Sequence, residues 1–109
     1  MEIHPGVFVS NVQTGGWEPD PEVGGEMHIL CHADGTEAGL SRFADLSGPI
    51  VWTLPARETL LVLEGRARID VEGGPTLELE SGDIASLPAG AETTWNLTCP
   101  FKEFWIVNR

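Results

Sequence analysis

Glu58 is the side chain whose setting singles it out for chemistry. It stands between the segment Trp52-Thr53-Leu54-Pro55 and the apolar run Thr59-Leu60-Leu61-Val62-Leu63, which ends in Glu64-Gly65. A carboxyl held among indoles and aliphatic groups has its charged form disfavoured and can act as an acid or base near neutral pH. A buried carboxyl without a partner is costly, so Glu58 is expected either to pair with a cation such as an arginine or to lie near solvent. His28 and His32, in His28-Ile29-Leu30-Cys31-His32, would adjoin on a helix and begin a zinc site. On a strand, as this stretch reads, they face one way about 13 Å apart and cannot share an ion. That leaves His28 to meet Glu58 across the fold in an improvised site. No Ser/His/Asp or Cys/His nucleophile arrangement has supporting spacing. Gly15-Gly16 and Gly24-Gly25 lack the strand-to-helix context of a phosphate loop.

The elements that must position these groups read as β throughout. Gly and Pro total 21, at short intervals, and no stretch sustains a helical apolar period. The alternation predicts strands near Gly6–Val12, Met27–Ala33, Glu37–Phe43, Ile50–Leu54, Thr59–Glu64, Arg66–Val71, Thr76–Glu80, Ile84–Leu87, Glu92–Leu97 and Lys102–Val107, with Gly15–Pro21 as loop. One hairpin can be argued to register. Arg66, Arg68 and Asp70 alternate with Ala67, Ile69 and Val71, and Glu78 and Glu80 alternate with Leu77 and Leu79. Pairing Arg68 with Glu78 and Arg66 with Glu80 matches charges and sets Ile69 against Leu77, leaving a loop from Val71 to Pro75.

With 109 residues and 41% hydrophobic content the chain suits one globular domain. A formal charge of −11 and only six basic residues argue against a nucleic-acid partner and against adhesion to an anionic membrane. No apolar run reaches membrane-span length, and Met1-Glu2-Ile3-His4-Pro5 does not read as a secretion signal, so a cytoplasmic location is expected. Cys31 and Cys99 are read as small buried hydrophobes in a reducing compartment, with a disulfide between them as the alternative.

The stretch from Gly48 to Thr94 resembles the cupins. The first motif of that family places two histidines at alternate positions, a glutamate four residues after the second, and a glycine seven beyond. Glu58 and Gly65 fit the last two, whereas the histidine positions fall on Trp52 and Leu54. In the second motif Gly82, Pro88 and Gly90 fit, but the histidine position is Thr93 and the asparagine position Leu97. One possible ligand of the usual four survives, and a lone carboxylate binds a transition metal poorly. No metal and no other cofactor is therefore expected.

Residues Gly25–Val107 are similar to the small single-domain subgroup that includes the (S)-ureidoglycine aminohydrolase and ethanolamine-utilisation cupin domains. The residues that carry this are Asp34-Gly35, Ala38-Gly39-Leu40, Leu63-Glu64-Gly65, Gly82-Asp83, Pro88-Ala89-Gly90 and Thr94-Trp95. The resemblance implies an all-β jelly-roll (double-stranded β-helix) barrel over 25–109, often dimeric, with residues 1–24 adding a strand and loop to the barrel or to a dimer contact. It also implies an inward-facing group of Trp52, Leu54, Glu58, Thr93 and Trp95, to which Phe43 and His28 are added. Three functions stay open: a metal-free cupin binding a small organic molecule, an isomerase- or hydrolase-like enzyme using Glu58, and an interaction module with a filled barrel, in each case as a homodimer.

Overall fold

The computed structural model describes residues 1–46 and 48–108. Ten strands follow one another: β1 (Glu2–His4), β2 (Val7–Phe8), β3 (Glu18–Pro19), β4 (Glu26–Ala33), β5 (Thr36–Phe43), β6 (Ile50–Thr53), β7 (Arg57–Val71), β8 (Thr76–Glu80), β9 (Ile84–Leu87) and β10 (Glu92–Asn108). Among the described residues no helix is long and apolar enough to cross a membrane.

Two long strands organise the rest. β7 and β10 pair antiparallel from Arg57↔Asn108 to Val71↔Thr93. The first half of β10 also pairs with β6 and its second half with β5, while β7 takes β9 on one half and β8 on the other. Each long strand thus passes from one wall of the molecule to the other, and β5 continues to β4 and β3. The result is the expected all-β jelly-roll barrel.

The sequence divides β7 and β10 into two strands apiece; the structure runs each through. Gly65 lies inside β7 at φ +80, and the register to β10 shifts between Thr98 and Glu103. The extra residue changes which positions face in, as a bulge does. Glu58, Leu60 and Val62 are buried before it, Ala67 and Ile69 after it. A Cβ on Gly65 would run into the carbonyl oxygens of Thr98 and Pro100. Glycine is therefore demanded twice, by conformation and by space.

The hairpin between β7 and β8 has the predicted register, with Arg66↔Glu80, Arg68↔Glu78 and Ile69↔Leu77. The N-terminal region differs from expectation. Residues 2–8 form a separate two-stranded hairpin, and part of the predicted loop, Glu18–Pro19, pairs with β4. Cys31 and Cys99 are free and half-buried.

The core gathers Leu54, Leu60, Val62, Ala67, Ile69, Leu87 and Phe101 between the walls. A second apolar layer lies on the outer side of the β4–β5–β10 wall, where Leu40 and Phe104 face Phe8 and Val12. Polar bonds fix this cover. Lys102 Nζ donates to the Val12 carbonyl at 3.0 Å, and the Arg42 guanidinium stacks 4.1 Å from the Trp17 ring centre.

Gly65→Ala should lower stability by about 2–4 kcal/mol, because strained backbone and collision add. Gly82→Ala, with φ +95 but open space around its Cβ position, should cost only about 1 kcal/mol. Urea midpoints compare the two; equal losses would mean that close packing is not what Gly65 serves.

Candidate functional site

Alternation along the strands aims one set of side chains into the barrel, where they surround a cavity of about 230 Å³. β6 contributes Ile50 and Trp52, β7 contributes Glu58, and β10 contributes Trp95, Glu103, Trp105 and Val107. β4 and β5 add Met27, Ile29, Glu37, Ser41 and Phe43. The open side is framed by Pro55 and by the loop holding Asp20, Glu22 and Val23. Asp20 shapes that loop by accepting the Glu22 amide at 2.8 Å. Gly25 closes it at φ +69, with its Cα face so near the Phe43 ring that a Cβ would lie 2.6 Å from Cδ1.

Of the seven residues the sequence groups together, Trp52, Phe43, Glu58 and Trp95 line this cavity; Leu54, Thr93 and His28 do not. Leu54 points inward but into the packed core, 1% exposed. Its backbone is clamped to the Pro88–Ala91 turn by bonds from Leu54 N to Ala91 O and from Gly90 N to Leu54 O. Thr93, 2% exposed, spends its hydroxyl on structure. It donates to the Trp52 carbonyl at 2.6 Å and accepts from Trp95 Nε1 at 2.8 Å. His28 lies on the other face of β4, because Met27 and Ile29 take the inward positions. Its Nδ1 donates to the Gly16 carbonyl at 2.8 Å, and Nε2 lies 2.7 Å from Ser10 Oγ. It ties down the N-terminal cover and has no part in a site with Glu58.

Glu103, Glu37, Ser41 and Trp105 are lining residues that the sequence reading missed. The available signal was the alternation Phe101, Glu103, Trp105, Val107. Glu103 is as deeply buried as the core, at 6% exposure, beside Glu58 at 9%. Neither has an ion-pair partner among the described residues. Among the described residues no arginine pairs with Glu58, and its carboxyl, though largely buried, faces the cavity. Burial instead pushes the Glu58 carboxyl up to about 7, against the opposing pull of a hydrogen bond with the Trp52 side chain. Burial, and then the nearby Glu58 charge, hold Glu103 well above the usual carboxylate range. Both carboxyls thus bind a proton more tightly than exposed ones do.

The four positions that correspond to the usual cupin ligands do not make a metal site. Trp52 and Leu54 offer no donor, Thr93 Oγ1 is already engaged, and only Glu58 faces the cavity with a free oxygen donor group. Among the described residues no three His, Cys, Asp or Glu side chains converge to hold an ion.

A jelly roll with this motif order defines a cupin. The model of the EutQ-like cupin domain family matches residues 47–104, more than half of the chain, and the chain belongs to that family. Among curated proteins none matches it. Solved structures share the fold at low identity. The chain superposes on a candidate ethanolamine utilization protein Q from Salmonella typhimurium with TM-score 0.64 at 22% identity, covering 76% of this chain and 68% of that one. Clostridium difficile EutQ gives 0.67 at 16%, covering 82% and 65%. A candidate mannose-6-phosphate isomerase from Ralstonia eutropha gives 0.72 at 17%, covering 92% and 96%. At these identities the likeness is one of fold.

Raised carboxyls make stability depend on pH. Between about pH 4.5 and 7 the folded chain holds a proton on Glu58 that the unfolded chain has released, so stability should fall as pH rises through that window. The loss is on the order of 3 kcal/mol for Glu58, and Glu103 adds a loss that begins in the same window and continues to higher pH. Chemical denaturation from pH 4.5 to 9 should show this slope. Glu58→Gln should lessen it below about pH 7, and Glu103→Gln both there and above. Slopes unchanged in both variants would refute the burial of ionisable carboxyls here.

Proposed function

We propose that this chain is a small-molecule-binding cupin that works without the family's metal, using the barrel cavity as its ligand site. The observation that carries this is the cavity itself: about 230 Å³, walled by three indoles, with the buried Glu58 and Glu103 among its lining. A pocket that is mostly apolar with a few convergent polar groups is the usual form of a small-ligand site. It favours a binding role over a filled barrel that serves only as an interaction module. Among the described residues the lining contains no Lys, Arg or His. That gives no support to a phosphosugar substrate of the sort named for the Ralstonia protein.

A second reading has its own support. Glu58, at about 7, has the proton affinity of a general acid or base working at neutral pH. On that reading the cavity is the site of an isomerase- or hydrolase-like reaction in which Glu58 moves the proton.

Elemental analysis and native mass spectrometry should be run on protein purified without an affinity tag or chelator. The expected result is a retained organic mass and no stoichiometric transition metal; a stoichiometric metal would overturn the metal-free reading. Once a retained molecule is identified, its turnover is compared in wild type and Glu58→Gln. Loss of 100-fold or more with the fold intact supports the catalytic reading, and binding without turnover in either protein supports the binding role.

A further inference from the structure

We propose that the cavity is built for a small organic cation, a quaternary or protonated amine held among the indoles of Trp52, Trp95 and Trp105 and facing the Glu58 and Glu103 carboxyls. The inference rests on the cavity being a ligand site, as proposed above, and assigns the chemical class of its occupant.

Charge sign is the first argument. Among the described residues every titratable side chain on the cavity wall is acidic: Asp20, Glu22, Glu37, Glu58 and Glu103. Three basic side chains of the same wall are engaged on its outer side. His28 holds Gly16, Arg42 holds Glu26, and Lys102 holds Val12. Among the described residues an anion entering the cavity would meet carboxyls and no basic lining group.

The second argument is which groups remain free. Asp20 serves its own loop, and Glu37 lies 3.9 Å from His32 Nδ1. Glu103 is 6% exposed, faces the cavity, and among the described residues takes part in no hydrogen bond or ion pair. Among the described residues no fully enclosed side-chain oxygen lacks a partner, so the Glu103 carboxyl opens onto the cavity, where a ligand can meet it. The indole N–H groups are taken: Trp95 donates to Thr93 Oγ1 and Trp105 to Ser41 Oγ, both at 2.8 Å, and the Trp52 side chain is bonded to Glu58. The rings therefore present π surface rather than donors. Aromatic faces beside a carboxylate suit a soft cation with alkyl substituents.

The third argument is charge balance. Without a ligand, burial raises the proton affinity of both carboxyls, Glu58 to about 7 and Glu103 well above the usual carboxylate range. A bound cation takes the place of one proton: a carboxyl O–H breaks, the proton leaves to solvent, and the carboxylate faces the ammonium. One positive charge enters as one leaves, and the site stays neutral. The second carboxyl keeps its proton and can donate to the first.

The test uses the intact chain and three probes of one shape: choline, its uncharged carbon isostere 3,3-dimethylbutan-1-ol, and the anion 3,3-dimethylbutyrate. Titration calorimetry at pH 8 should show choline binding at least tenfold more tightly than either of the others. Its affinity should drop about tenfold at pH 6, as expected for release of one proton from a group near 7. Glu58→Gln and Glu103→Gln, with circular dichroism confirming the fold, should each lose the preference for choline while still binding the alcohol. Choline binding that persists in both variants would overturn the assignment. If the alcohol or the anion binds as well as choline, the cation assignment fails and the ligand cavity stands. If no probe binds and native mass spectrometry finds no retained molecule, both fail.

Discussion

The pairing of Arg57–Val71 with Glu92–Asn108 is the constraint from which the other elements take their places. Because each strand is long enough to belong to both walls, a residue early in one and a residue late in the other are brought onto a common interior face. That is how Glu58, near the start of β7, comes within electrostatic reach of Glu103, in the second half of β10. The bulge at Gly65 is what makes the arrangement possible. Without a change of parity there, either the Leu60–Val62 face or the Ala67–Ile69 face would turn to solvent. A single residue without a side chain thus lets one strand supply cavity wall at one end and closed core at the other.

The interior chemistry follows from what replaced the family's ligands. An imidazole at position 93 would face a metal; threonine there bonds to the backbone of β6 and to the indole of Trp95 instead. Trp52 stands at a histidine's position and gives Glu58 a neutral hydrogen-bonding companion. Among the described residues no cationic side chain offsets them, so burial raises the proton affinity of both carboxyls, and the charge of Glu58 adds to the rise at Glu103. An interior with these residues at the family's ligand positions is not inert. It holds carboxyls whose charge depends on pH.

Much of the fold was legible, and the reasons are local. The Arg66–Glu80 hairpin could be read to register because charge pairing and apolar alternation imposed the same alignment. Gly65 and Pro100 were misread as strand ends, since both residue types usually interrupt pairing, whereas here they lie within continuous strands. The candidate site was legible in part. Alternation states which residues share a face but not which face is inward. On β4 both faces are covered, one by the barrel and one by the N-terminal segment, so His28 was assigned to the wrong side. Glu103 was overlooked because a charged residue among aromatics is ordinarily the solvent-facing member of the alternation.

Gly25 bears on time rather than on strength. The loop from Asp20 is closed on itself by Asp20 N to Gly25 O and Gly24 N to Asp20 O, and it is seated on Phe43 only because residue 25 has no Cβ. Phe43 is at once a wall of the cavity and the floor of that loop. A methyl group at position 25 would lift the rim without touching the indoles or the carboxyls. On the ligand-site reading proposed above, this loop bears on how fast a ligand enters and leaves, and the indoles and carboxyls bear on which ligand is held.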